Sequence, residues 1–76
     1  MNSPQENTKQ FQTMRQNLRL LREKQGWSIE QLSQRSGIDA KILMAAEGEG
    51  DFGMDDLFTL CRMHGIWIHE IFLPIR

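Results

Sequence analysis

The chain has 76 residues, of which 39% are hydrophobic and 25% are charged, as in one small soluble globular domain. No apolar run approaches the roughly 18 residues of a membrane-spanning helix, and the polar start "MNSPQENTKQ" lacks the apolar run of a secretory signal. Cys61 is the single cysteine, which excludes an intrachain disulfide framework and favours a reducing, cytoplasmic location. We expect a flexible segment over residues 1–8 and a single domain over residues 9–76.

The net charge of −1 hides an uneven distribution along the chain. Residues 9–24 carry a net charge of +4, whereas residues 38–56 carry a net charge of −5. Basic segments attract the phosphates of nucleic acids and acidic segments repel them. The two segments therefore favour opposite kinds of partner.

The first predicted helix runs from about Thr8 to Gln25 and ends at Gly26, although the capping-box-like Ser3, Pro4 and Glu6 allow an earlier start. Its apolar residues are spaced three and four apart, as on one face of an amphipathic helix. These residues are Phe11, Met14, Leu18 and Leu21. Trp27 follows directly, and we expect it to pack between helices 1 and 2.

Two short helices with a turn between them are predicted next. Ser28 and Gln31 form a capping box that starts helix 2, which runs to about Arg35. Gly37 permits a left-handed turn, and Asp39 can cap helix 3. The inward positions of both helices are apolar: Ile29, Leu32, Ile38, Ile42, Leu43 and Ala46.

A glycine-rich acidic loop over residues 48–53 separates helix 3 from the rest of the chain. Helix 4 is predicted from about Met54 to His64, and a fifth helix from about Ile68 to Phe72. The inward positions of helix 4 are Leu57, Leu60 and Cys61, with Cys61 as a buried small hydrophobe. Five short helices without strand alternation predict an all-α fold.

The order and spacing of these elements resemble a known family of DNA-binding domains. The pattern Ser-x-Glu-x-Leu-Ser-x-x-Ser-Gly-Ile over residues 28–38, followed by Leu43 and Glu47, has helix-turn-helix dimensions. With "LRLLREKQGW" before it and "MDDLFTLCRMHGIWIHEIF" after it, the chain resembles the Cro and phage-repressor (XRE-type) family over about residues 16–72. The resemblance implies a compact five-helix, lambda-repressor-like domain with its helix-turn-helix formed by helices 2 and 3.

This resemblance implies a sequence-specific transcriptional regulator, a homodimeric repressor of phage, plasmid or bacterial type, that binds double-stranded DNA. Helix 3 would enter the major groove, and Lys41 would be the main base reader. The other positions that match the family's DNA contacts are Ser28, Gln31, Arg35, Asp39, Ala40, Met44, Ala45 and the backbone at Gly48. Arg15 and Arg19 could add phosphate contacts if their faces of helix 1 allow it.

The family also pairs an arginine of helix 1 with the glutamate that ends helix 3. The matching residues are Arg22 and Glu47, so the resemblance implies a partly buried ion pair between them. Such a pair would neutralise Glu47 and reduce its repulsion of DNA. The alternative for Arg22 is a solvated surface charge.

Several positions depart from the family and favour a second function class. Ala40 and Ala45 cannot form hydrogen bonds through their side chains, and Ile29 stands where a glutamine is usual. Glu49 and Asp51 place carboxylates where the family's loop meets phosphate. The alternative function is a degenerate helix-turn-helix interaction module, an antagonist or partner subunit of another regulator, whose acidic surface does not bind DNA directly.

The apolar C-terminus predicts a dimer interface, because a chain this small cannot bury all of it. Relatives often dimerise through helix 5 and its flanks. The predicted interface residues are Trp67, Ile68, Ile71, Phe72, Leu73 and Ile75. Another protein could also bind this surface, and the alternative is that Trp67 and Phe72 close the core.

The sequence offers no catalytic or metal-binding pattern. His64 and His69 are five residues apart, which is not the spacing of a helical metal pair. Asp55 and Asp56 are explained by the dipole of helix 4. We expect no enzymatic activity, no metal and no cofactor.

Overall fold

The computed structural model describes residues 4–74, with side chains from residue 9 onward. Within residues 4–74 the chain is all-helical and forms four α-helices and one short 3₁₀ helix. The α-helices are α1 (Pro4–Lys24), α2 (Ile29–Ser36), α3 (Ala40–Glu47) and α4 (Met54–His64). The fifth predicted α-helix is instead the 3₁₀ helix, Ile68–Phe72, since Pro74 limits this segment to little more than one turn.

Helix α1 begins at Pro4, the earlier of the two starts that the sequence allowed, and not near Thr8. Proline suits the first turn of a helix, where a backbone N–H would have no intrahelical partner. The expected flexibility of residues 1–8 stays a prediction.

The core lies between the four α-helices and the 3₁₀ helix, which packs against α1 and α4, while α3 packs against α1 and α2. Leu32 of α2 and Leu43 of α3 are each 1% exposed, so the helical spacing predicted their inward faces correctly. The buried apolar residues are Met14, Leu18, Leu32, Ile38, Leu43, Ala46, Leu57, Leu60, Cys61 and Ile71. Burial among them raises the pKa of the Cys61 thiol, as expected of a packed small hydrophobe.

Phe11 corrects the predicted inward face of α1. It is 48% exposed, because it lies at the edge of the core, one helical turn before Met14. Its ring packs edge-on against Phe72, with ring centroids 6.1 Å apart. Phe11 therefore joins α1 to the 3₁₀ helix without entering the core.

Asn17 is a buried polar residue that the sequence analysis missed, and it is 3% exposed. Its Nδ2 donates to the carbonyls of Ile71 at 2.8 Å and Leu73 at 2.6 Å. Both of its amide hydrogens are thereby satisfied, so Asn17 fixes the 3₁₀ helix against α1. The sequence feature that could have predicted this burial is the position of Asn17 between Met14 and Leu18 on the apolar face of α1.

Candidate functional site

Helices α2 and α3 are joined by a turn whose conformation is set by local hydrogen bonds. Gly37 has a φ of 75°, and its N–H donates to the carbonyl of Ser33 at 2.9 Å, which ends α2. The Ser33 hydroxyl donates to the carbonyl of Ile38 at 2.5 Å and so holds the turn against α2. Asp39 then accepts from the N–H of Lys41 at 2.8 Å, which starts α3.

The side of α3 that faces away from the core is exposed and weakly polar. Lys41 is exposed, Met44 is 61% exposed, and Ala40 and Ala45 are partly exposed. Ala40 lies one turn before Met44, and Lys41 one turn before Ala45, so the four residues share one face. We call these four residues the outer face of α3; Lys41 is its charged side chain.

The predicted DNA contacts at the start of α2 are exposed but already have partners within the chain. The N–H of Gln31 donates to Ser28 Oγ at 3.1 Å, and the N–H of Ser28 donates to Gln31 Oε1 at 2.8 Å. This is the capping box that the sequence predicted. The Ser28 hydroxyl hydrogen and the Gln31 side-chain NH₂ remain donors for a ligand.

Arg35, at the end of α2, lies over the ring of Trp27 with its guanidinium carbon 4.7 Å from the ring centroid. This is a cation–π contact, and it holds an exposed arginine in place. Trp27 itself is half-buried against the core. Its ring contacts lie toward α2 and α4, since the His64 ring centroid is 6.1 Å away.

The structure brings Arg22 and Glu47 together in a bidentate ion pair. Arg22 Nε donates to Glu47 Oε2 at 2.8 Å, and Arg22 Nη2 donates to Oε1 at 2.9 Å. Arg22 Nη1 also donates to the carbonyl of Trp27 at 2.7 Å. The two side chains are only 13% and 9% exposed, and the hydrogen bonds to Glu47 raise the pKa of Arg22.

The guanidinium of Arg15, in α1, is also hydrogen-bonded to other parts of the chain. Its Nη1 donates to the carbonyl of Ala45, and its Nη2 donates to the carbonyl of Gly50 at 2.9 Å. The guanidinium carbon lies 5.6 Å from the ring centroid of Phe52. Arg15 therefore holds the end of α3 and the following loop, and the phosphate contact considered for it would require these bonds to break.

The loop after α3 departs from the predicted phosphate contact at Gly48. The N–H of Gly48 donates to the carbonyl of Met44 at 2.9 Å, so it continues the hydrogen bonding of α3 and is not free for a phosphate. Glu49 and Asp51 are exposed in this loop. These two solvent-exposed carboxylates at the end of α3 would repel a polyanion bound there.

His64 lies half-buried at the end of α4, and neither ring nitrogen has a hydrogen-bond partner among the residues that the structure describes. Desolvation lowers its pKa below the ordinary value of 6.5, and the nearby Glu47 carboxylate opposes this. Among the residues that the structure describes, no three His, Cys, Asp or Glu side chains form a group that could hold a metal ion.

The predicted C-terminal interface divides into exposed and buried parts. Trp67 is 73% exposed and Leu73 is 56% exposed, whereas Ile68 and Phe72 pack against the core. Ile71 is 0% exposed, which corrects its assignment to an interface, because it fills the core beneath Asn17. Ile75 lies outside the described residues. Beside Trp67 is an open cavity of about 680 Å³ lined mainly by apolar side chains, including Phe58 and Ile66.

Comparisons of the chain with protein-family models, with curated proteins and with solved structures find no match. No helix within residues 4–74 has the length and apolar character needed to cross a membrane. The family resemblance therefore stays a prediction from the sequence, based on the order and spacing of the five predicted elements.

Proposed function

We propose that this chain is a DNA-binding transcriptional regulator of the helix-turn-helix type, and that α2, the turn at Gly37 and α3 are its reading unit. A cytoplasmic homodimeric repressor without enzymatic activity, related to the Cro and phage-repressor (XRE-type) proteins, fits this proposal. The observation that supports it most is the fixed turn, which holds α3 against the core with one face in solvent.

The ion pair between Arg22 and Glu47 supports the same proposal, because it removes a carboxylate from the surface near α3. An unpaired Glu47 would add to the negative charge of Glu49 and Asp51. With Glu47 paired internally, the loop carboxylates are the main electrostatic obstacle to DNA at this end of α3.

In the proposed complex α3 enters the major groove with its outer face toward the bases. Lys41 donates to a guanine edge or a phosphate, and the methyl groups of Ala40 and Ala45 contact thymine methyls. The free donors of Ser28 and Gln31 contact the phosphate backbone beside the groove. Sequence discrimination by such a surface is weak, since Lys41 supplies its one strong side-chain donor.

The exposed side chain of Met44 favours a second candidate, a protein-interaction module. Met44 is 61% exposed between Lys41 and Ala45 on the outer face of α3, where a base reader would be polar. A flexible thioether adapts to many apolar surfaces. With Glu49 and Asp51 beside it, this face would then bind a basic partner protein, such as another regulator, in place of DNA.

The test is binding to random-sequence duplex DNA at low and moderate salt. The DNA-binding proposal predicts an affinity that falls steeply as salt rises, because released counterions dominate the binding of phosphates. No binding at about 50 mM salt would reject direct DNA recognition, since even non-specific binding is detectable there. It would leave the interaction module as the function to pursue.

Lys41→Ala and Lys24→Ala form the matched pair for this measurement. Each removes one exposed lysine, from the outer face of α3 and from the end of α1, respectively. We expect Lys41→Ala to weaken DNA binding about tenfold and to reduce the salt dependence by about one counterion. Equal effects of the two variants would indicate binding through overall charge, without α3 in the groove.

A further inference from the structure

We propose that a second copy of this chain binds along α4, with the two α4 helices antiparallel and Asp55 of each copy against Arg62 of the other. This inference deepens the homodimer in the proposed function and does not depend on DNA binding. It concerns the outward side of α4, which the sequence analysis did not assign to any interface.

A mixed apolar and charged stripe follows the outward side of α4. Met54 is 55% exposed, Phe58 is 50% exposed, and Asp55 and Arg62 are also exposed. Met54 and Asp55 lie four and three residues before Phe58, and Arg62 lies four residues after it, so all three neighbour Phe58 on the outward side of the helix. We call Met54, Asp55, Phe58 and Arg62 the α4 stripe.

None of these four residues contributes to the buried inward side of α4. Leu57, Leu60 and Cys61 are at most 3% exposed and form its contact with the core. Phe58 and Met54 therefore expose apolar side chains to solvent without contributing to the buried core of the monomer. Two large apolar residues in successive turns form a contiguous patch rather than scattered exposure.

The patch continues beyond α4 to Trp67. Phe58, Arg62 and Trp67 line the same open cavity of about 680 Å³, and Trp67 is 73% exposed. Exposed tryptophan and phenylalanine beside an arginine match the composition of interface centres. The α4 stripe and Trp67 thus form one continuous surface.

The charge order along the stripe identifies a second copy as the partner. Asp55 lies near the start of α4 and Arg62 near its end, with Phe58 between them. When two such helices run antiparallel about a two-fold axis near Phe58, each Asp55 meets the partner's Arg62. Both ends of the contact then have opposite charges, which is the self-complementarity that a two-fold interface requires.

The spacing of the charges suits this arrangement. Seven residues separate Asp55 from Arg62, which is about 10 Å along a helix. The axis then falls between Phe58 and Thr59, so the two Phe58 rings meet at the centre. A parallel arrangement would instead place Asp55 against Asp55 and Arg62 against Arg62, and like charges would oppose it.

The test exchanges the charges of the α4 stripe in the full chain. We expect wild type to dimerise in sedimentation equilibrium over about 1 μM to 1 mM. Asp55→Arg and Arg62→Asp should each weaken self-association at least tenfold, since each places like charges at both contacts. Mixing the two variants should restore dimers as heterodimers, and so should combining both substitutions in one chain.

Glu30→Arg is the matched control, because Glu30 is an exposed acid in the first turn of α2 as Asp55 is in α4. It should leave self-association unchanged. Circular dichroism of each variant at 222 nm must equal that of wild type. Phe58→Glu provides a second disruption that does not alter the charges at either end, and it should also give monomers.

A wild-type chain that stays monomeric over this range overturns the inference, and so does a mixture of Asp55→Arg and Arg62→Asp that forms no heterodimer. The outcomes are distinguishable from those of the DNA test. A wild-type dimer that binds no duplex DNA supports this interface and rejects DNA binding. A monomer that binds duplex DNA does the reverse.

Discussion

On the inward side of α1, Arg15, Asn17 and Arg22 bond to parts of the chain that lie 25 to 56 residues away. On the outer face of α3, in contrast, Lys41 is the charged side chain among Ala40, Met44 and Ala45. The strongest polar groups of this molecule thus act on its own architecture. The surface that would meet DNA has far fewer.

Charge in the sequence of α1 is therefore a poor guide to charge at its surface. Residues 9–24 are basic, yet Arg15 and Arg22 are bonded to α3 and its following loop. Arg19 pairs with Glu23 on the exposed side of α1 at 3.2 Å. A net charge of +4 in the sequence therefore overstates the positive charge that this helix offers to a ligand.

The largest loss of stability is expected from Arg22→Ala, which removes the ion pair between α1 and the end of α3. The substitution leaves Glu47 as a nearly buried carboxylate without its partner and frees the carbonyl of Trp27. We expect the free energy of unfolding to fall by about 3 kcal/mol. Urea denaturation measures this free energy.

Arg19→Ala is the control and should change stability by less than about 0.5 kcal/mol, because its pair is exposed. Equal losses in both variants would contradict the assigned role of Arg22.

Asn17→Ala should have the next largest effect. It removes the donor to the carbonyls of Ile71 and Leu73 and leaves a small cavity, so we expect a loss of about 2 kcal/mol. Chemical denaturation is again the measurement. Gln16→Ala, at the exposed neighbouring position, should be close to neutral. If Asn17→Ala is as stable as Gln16→Ala, then Asn17 does not hold the 3₁₀ helix.

Neutralising the acidic loop after α3 tests whether its carboxylates weaken DNA binding at the outer face of α3. Glu49→Gln combined with Asp51→Asn removes two exposed carboxylates, and we expect affinity for random duplex DNA to rise about tenfold, or about 1.4 kcal/mol. Fluorescence anisotropy at fixed salt measures it. The same exchange at Glu23 and Glu30 removes equal charge elsewhere. An equal rise there would mean that only net charge matters.

The smallest effect concerns the pH dependence of stability. The pKa of His64 is lowered by burial, so the unfolded chain takes up this proton before the folded chain does as pH falls. The stability contributed by neutral His64 is present above about pH 6.5 and is lost as pH falls through the lower folded pKa. The Tm of His64→Phe should therefore fall less between pH 7 and pH 5 than the Tm of wild type, by a few degrees.

His69→Gln is the control for this measurement, since His69 is exposed. Its Tm profile should follow that of wild type. A His64→Phe profile parallel to wild type would show that other groups cause the acid sensitivity.

The elements of the fold were largely predictable because each carries a local signal. Ser28 with Gln31 specified a capping box, and Gly37 a left-handed turn, from a few neighbouring residues. Apolar spacing placed Leu32, Leu43 and Leu57 inward. The type of the last helix was not predictable from spacing, since five residues before a proline suit an α-helical turn and a 3₁₀ helix equally.

The candidate site was less predictable, because its chemistry depends on partners distant in sequence. Arg22 and Glu47 were paired only through a family resemblance, and Arg15 remained open as a phosphate contact. Gly48 was assigned to phosphate from its place in a loop, yet its N–H continues the hydrogen bonds of α3. Such outcomes depend on the exact end of a helix, which local patterns define poorly.

The linear pattern of residues specified where α2, α3 and α4 begin, which face of each of these helices is apolar, and that acidic residues follow α3. These properties arise from interactions within about four residues, so a linear pattern contains them. The packing of the helices was needed to show which charges are neutralised, that Asn17 is buried, that Ile71 is core while Trp67 is exposed, and that Met54 and Phe58 face outward together with Arg62. Those properties arise from contacts between helices, where burial and geometry set the free energy of each polar group.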